Sequence, residues 1–180
     1  KPDASMSGNG LLAGLVAITA PSGFVNTIGA AIIGLVAGVL VCLSVSFVEN
    51  RLKVDDPVGA ISVHGSCGLW GVLSVGLFAD GKSNYGGSWN GVTGSVTGLF
   101  YGDASQLVAQ LVGIVTLVGV VFSISFAINW VLDILLGQRV STATEVAGLD
   151  IPEMGQLGYP EFVFKPEPDS MLAAERFAVA

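Results

Sequence analysis

Three long apolar runs constrain this chain more than any other feature. Phe24 to Val48 carries no charged side chain, and Val58 to Ala79 has only His64 and the Cys67 thiol as ionisable groups. Ala104 to Leu136 has only Asp133. A bilayer crossing by a helix needs about 20 such residues, so each run predicts a transmembrane helix. At about 1.5 Å per residue the last would be roughly 50 Å long. That exceeds the ~30 Å hydrocarbon core, so it is expected to tilt or project from the membrane. A shorter run precedes the Pro21-Ser22-Gly23 turn signal and is expected to span once packed among the others. The reading is thus an all-α integral membrane protein. Its spans are expected at about 9–20, 24–48, 58–79 and 104–136, within a membrane region 1–137, followed by a mostly irregular tail 138–180.

Composition excludes the other classes. Charged residues make up 12% of the chain, against roughly 25% in a soluble domain. A net charge of −7 with seven Lys and Arg leaves no basic footprint for nucleic acid. Cys42 and Cys67 form no CxxC pair and are expected to be buried small hydrophobes, so no metal or cofactor site is expected. No secretory signal pattern is visible. The opening Lys1-Pro2-Asp3 reads like the middle of a longer gene product.

Loop charges suggest orientation. With four crossings, Lys1, Arg51, Lys53 and Arg139 fall on one side and Lys82 on the other, which predicts a cytoplasmic tail. The Gly-, Ser- and Asn-rich loop from Asp80 to Gly102 is expected to be an external excursion capping the helices. The tail carries Pro152, Pro160, Pro166 and Pro168 and seven acidic residues, from Glu145 to Glu175. Small residues recur every fourth position at Gly10 and Gly14, and at Ala30, Gly34 and Gly38. They predict close helix packing.

His64 is the only histidine. Ionisable side chains at membrane depth are costly and tend to face an interior pathway. Helical spacing from His64 reaches Gly68, Gly71 and Val75 on one face, with Cys67 three residues on. The small residues predict a narrow apolar lumen around one imidazole. There the neutral ring is favoured, donating from one nitrogen and accepting on the other, which suits a small neutral or transiently protonated guest. No GxSxG, HExxH, Walker A or GxGxxG motif is present, so an enzyme is not expected. Asp55 or Asp56, just before Pro57, is placed to cap a helix start.

The stretch from Val54 through Asp55-Asp56-Pro57 to His64-Gly65-Ser66-Cys67-Gly68-Leu69-Trp70-Gly71 closely resembles the signature of the Amt/Mep/Rh ammonium transporter family, on its Amt/Mep branch. Gly14 to Ala20 is similar to the segment opening the family's eighth helix. Gly148-Leu149-Asp150, followed by Gly155 and Tyr159, is similar to its cytoplasmic tail. The resemblance implies helices eight to eleven of an eleven-helix subunit, in a homotrimer of the cell (inner or plasma) membrane. Each subunit would conduct ammonium or ammonia through its own hydrophobic pore. His64 would be one of two pore histidines. The second, with an outer cation site and an aromatic gate, would belong to a first half outside this chain. Gly148, Asp150, Gly155 and Tyr159 would be regulatory, with a PII-type signal protein as a further partner. The sequence departs from the family at Gln138, at Ser141 to Thr144 and at Met154. The alternatives are an ammonium sensor with little flux, a gas channel of the Rh branch, or a non-conducting half that needs a companion chain.

Overall fold

A computed structural model describes residues 3–82 and 95–158. The described residues fall into two units, 1–125 and 126–180. In the first unit, α1 (Ala4–Thr19) begins where Asp3 accepts the Met6 N–H at 2.9 Å. This cap carries the helix back beyond the start expected near residue 9. α2 (Thr27–Phe47) begins at Asn26, whose side chain accepts the Gly29 N–H and donates to the Tyr101 hydroxyl at 2.7 Å. It runs on through a π-helical turn, Val48–Leu52, and stops at Lys53, whose φ is 57°.

The helix expected from Val58 starts at Ile61. Asp56 to Gly59 form a turn closed by the Gly59 N–H on the Asp56 carbonyl at 2.9 Å. Gly59 has φ +70°, a conformation that ends any helix attempted through it. A π-turn, Ile61–Ser66, then leads into α3 (Cys67–Phe78). Beyond it Asp80 bridges Thr97, and the Asp80 N–H reaches the Phe24 carbonyl. The ends of the expected external loop therefore come together at the start of α2, and residues 83–94 lie outside the described set. A single 3₁₀ turn, Leu99–Tyr101, leads to α4 (Ser105–Thr116), a π-turn (Leu117–Phe122) and α5 (Ser123–Leu136). These three form one helix, Ser105–Leu136, of the length expected.

Among the described residues, three helices are long and apolar enough to cross a membrane: Thr27–Leu52, Ile61–Phe78 and Ser105–Leu136. α1 is apolar but shorter. The core lies among α1, α2 and α3, around Ala13, Ala17, Ile33, Ala37, Val41, Val63 and Cys67. α2 and α3 run antiparallel, joined by hydrogen bonds in reversed order along the two helices. Ser44 and Ser66 share one, the Cys67 thiol faces the Ala37 carbonyl at 3.7 Å, and Trp70 Nε1 donates to the Ile33 carbonyl at 3.1 Å.

The expected small-residue stripe is displaced by one position. The packed face of α2 is Gly29, Ile33, Ala37, Val41 and Ser44. A side chain added at Gly10, Gly14, Gly34 or Gly38 would meet no described atom within 4 Å. Close approach occurs elsewhere. A Cβ at Gly71 would lie 2.6 Å from the Ala17 carbonyl oxygen, and one at Gly76 would lie 2.6 Å from Leu107 Cα. Cys67 is buried as expected, but Cys42 is exposed on α2.

In the second unit two short helices punctuate the described part of the tail. α6 (Thr142–Ala147) starts at Ser141, whose hydroxyl accepts the Thr144 N–H, and ends at Gly148 with φ +100°. α7 (Asp150–Met154) ends at Gly155 with φ +71°. The described part of the tail is more helical than its composition predicts, because Ser141 and the two glycines supply local start and stop signals.

Candidate functional site

Asp56 organises the segment that carries the histidine. Its carboxylate is buried and accepts three hydrogen bonds, from the Ile61 N–H at 2.9 Å, the Ser62 N–H at 3.1 Å and the Ser62 hydroxyl at 3.0 Å. Burial pushes this carboxyl up, but the donors outweigh it and hold the group below the ordinary carboxylate value. Of the two aspartates before Pro57, Asp56 is the cap. It acts across the intervening turn instead of at the next residue.

The turn so capped is π-helical. Such turns are rare, add a residue to the helical repeat and occur frequently at functional sites. His64 sits inside this one and is exposed. Among the described residues its ring makes no hydrogen bond. It lines a groove of about 590 Å³ with Gly65, Gly68, Leu69 and Val72. The facing wall is the π-turn of the long helix and its neighbours, including Gly113, Leu117, Val121 and Phe122. Two π-turns thus border one apolar groove, and one unpaired imidazole enters it.

The expected small-residue face divides at this point. Gly68 shares the groove with His64, whereas Gly71, Val75 and Cys67 are buried. Gly71 packs on Ala17. The extra residue in the π-turn accounts for this, since it advances the face that continues from His64 onto Gly68, Leu69 and Val72. In place of the narrow lumen expected from the sequence, the described residues form an open groove.

The Ser44–Ser66 pair and the contact of Trp70 with Ile33 have no counterpart among the expectations from sequence. Ser44 and Ser66 are hydroxyl residues within otherwise apolar helices, and that was the available signal, because polar groups in such helices find partners on neighbouring helices. No group of three or more His, Cys, Asp or Glu among the described residues could hold a metal ion. In the tail, Asp150 accepts the Gly158 N–H at 2.9 Å, and Gly148 and Gly155 stand at helix ends. Arg139 donates to both carboxylate oxygens of Glu145, at 2.9 and 3.2 Å. Tyr159 lies outside the described residues.

Comparison with known proteins agrees with the signature around His64. The sequence pattern of the Ammonium Transporter Family matches residues 1–159. The chain is 41% identical over 163 residues to ammonium transporter Amt2 of Archaeoglobus fulgidus, covering 91% of this chain and 34% of that protein. It is 34% identical over 161 residues to the ammonium transporter of Bacillus subtilis, covering 89% and 38%. Against putative ammonium transporter 1 member 5 of Arabidopsis thaliana it is 39% identical over 155 residues, covering 84% and 30%. These relatives are named as transporters, not enzymes, and the chain spans about a third of the length of each. With its apolar helices and a match over nearly all of its length, the chain belongs to the ammonium transporter family.

Proposed function

We propose that this chain forms the carboxyl-terminal part of an ammonium transporter, in which His64 borders the conduction path. The carrying observation is the unpaired imidazole of His64 in an apolar groove, within the family signature. A dehydrated ammonia or ammonium loses the hydrogen bonds of water. A ring that donates at one nitrogen and accepts at the other can replace part of them. The mostly apolar wall disfavours larger hydrated ions, whose desolvation one imidazole does not offset.

In this reading His64 acts with a second histidine outside this chain. The helices here are the last four of an eleven-helix subunit in a homotrimer. α1 crosses the membrane alongside the three longer helices, which puts Arg51, Lys53 and Arg139 on the cytoplasmic side with the tail. Gly148, Asp150, Gly155 and Tyr159 belong to a regulatory segment that couples subunits and offers a surface to a PII-type signal protein.

The test is methylammonium uptake by proteoliposomes carrying the intact gene product. Uptake is expected, with His64→Ala altering its rate or the charge moved per substrate. Unchanged rate and selectivity in that variant would remove His64 from the path. Ammonium binding without uptake in the unmodified protein would favour a sensor. Truncation before Gly148 is expected to weaken cooperation between subunits, read as a loss of dominance by inactive subunits in mixed trimers.

A further inference from the structure

Ser44 on α2 and Ser66 on α3 meet with their hydroxyl oxygens 2.6 Å apart. Ser44 is buried and Ser66 half-buried. A serine in a helix commonly satisfies its hydroxyl on the carbonyl four residues before it in the same helix. Ser74 does so here, donating to the Trp70 carbonyl at 2.7 Å. Ser44 and Ser66 instead bond to each other across the helix pair. Their position gives this choice its meaning, because Ser66 is the last residue of the π-turn that carries His64.

A π-turn has one residue more than the α-helical turn it replaces. Relaxing it would move the residues on one side by one position, roughly 100° of rotation in a helix of 3.6 residues per turn. Its start is held by Asp56 through Ile61 and Ser62. The helix beyond it is held by Trp70 on Ile33, and by Gly71 against Ala17. With both flanks fixed, a change of register falls on the turn itself, and His64 lies within it. We infer that the Ser44–Ser66 hydrogen bond locks the π-turn, making these serines positioning residues that aim His64 into the groove. This rests on the reading of His64 as bordering the conduction path.

The experiment uses the intact gene product in lipid bilayers, with its histidines labelled with ¹⁵N. The His64 ring signals are assigned by their loss in His64→Ala. Ser66→Ala and the double variant Ser44→Ala with Ser66→Ala are expected to shift the His64 ring signals. They are also expected to lower the maximum methylammonium uptake rate by about tenfold or more, within the ~100-fold that a misplaced group can cost. Ser66→Thr retains the hydroxyl and is expected to restore both. Ser44→Ala alone reports the same lock from the other helix. Unshifted His64 signals in the folded double variant would overturn the inference, as would failure of Ser66→Thr to restore them. The ring signals decide this independently of transport. Should His64→Ala leave uptake unchanged while the serine variants still shift the ring, the conduction reading falls and the lock stands.

Discussion

Cys67 on α3 is fully buried, whereas Val115 on the helix Ser105–Leu136 is 71% exposed, although both lie in long apolar runs. The contrast holds along both regions. Among α1, α2 and α3 the interior is built largely of small and hydroxyl residues, including Ala13, Ala17, Ala37, Ser44, Ser62, Gly71 and Ser74, around Ile33 and Val41. Large side chains such as Leu11, Ile28, Leu35 and Leu43 point outward. No residue of the helix Ser105–Leu136 is buried. Apolarity alone therefore does not select which helices form the core. In lipid, leucine gains nothing by leaving acyl chains for protein. Small residues allow backbones to approach, and hydroxyl and indole groups then bond across the gap. The packed region has that combination, whereas the long helix approaches α3 closely at one glycine, Gly76.

The comparison breaks most severely at Gly71. A leucine there would drive its Cβ into the Ala17 carbonyl, which is backbone and cannot swing aside. Gly71→Leu is expected to destabilise by about 1–3 kcal/mol or more, the cost of overpacking a close contact. Gly119→Leu, at an exposed position of the long helix, has no described atom within 4 Å of its Cβ and is expected to be neutral or slightly stabilising. The unfolding midpoints of the two variants in detergent check the difference. Equal losses would mean that both helices are packed alike.

A smaller loss is expected at the Asp56 cap. Asp56→Ala removes the acceptor for Ile61 and Ser62 and is expected to cost about 1–2 kcal/mol, as cap removals do. The sign of its pH dependence follows from its lowered titration in the folded protein. The stabilisation is complete above the ordinary value of 3.8 and is lost as the pH falls through the lower folded value. Unfolding measured from pH 6 down to pH 2 should show an acid loss in the unmodified protein that is reduced in Asp56→Ala. Trp70→Phe should follow at about 1 kcal/mol, since it removes one hydrogen bond to Ile33 and some ring area.

Much of this was legible in the sequence, and the failures share a cause. The apolar runs located three helices long and apolar enough to span a membrane, because length and hydropathy are properties of the chain itself. The signature around His64 pointed to the family that the comparisons then showed. What escaped depended on the partner helix or on a local change of period. Gly34 and Gly38 have the spacing of a packing face, yet the face one residue earlier is packed, because α3 presents Cys67 and Trp70 to Ala37 and Ile33. Gly71 was placed beside His64 by a 3.6-residue period, and the π-turn broke that period. The tail helices escaped because they are set by single residues, the cap at Ser141 and the turns at Gly148 and Gly155, which leave little mark on a proline-rich acidic composition.

The smallest effect is the most discriminating test of the contrast between the regions. Val115→Ala removes apolar surface that the described structure leaves outside. If acyl chains cover that surface, alanine exchanges one apolar contact for another, and the change should stay within about 0.5 kcal/mol, as for surface positions generally. The matching substitution in the packed region is Val41→Ala, at a fully buried position, where a cavity adds to the loss of transfer energy. Unfolding of the intact gene product in the same detergent compares the two directly. A Val115→Ala loss as large as that of Val41→Ala would place this face of the long helix against protein in the assembled molecule. The difference between the regions would then belong to the chain alone and disappear on assembly. A Val115→Ala change near zero in the assembled protein would assign that face to lipid, and the small-inside, large-outside arrangement of α1 to α3 would be the distinction that survives.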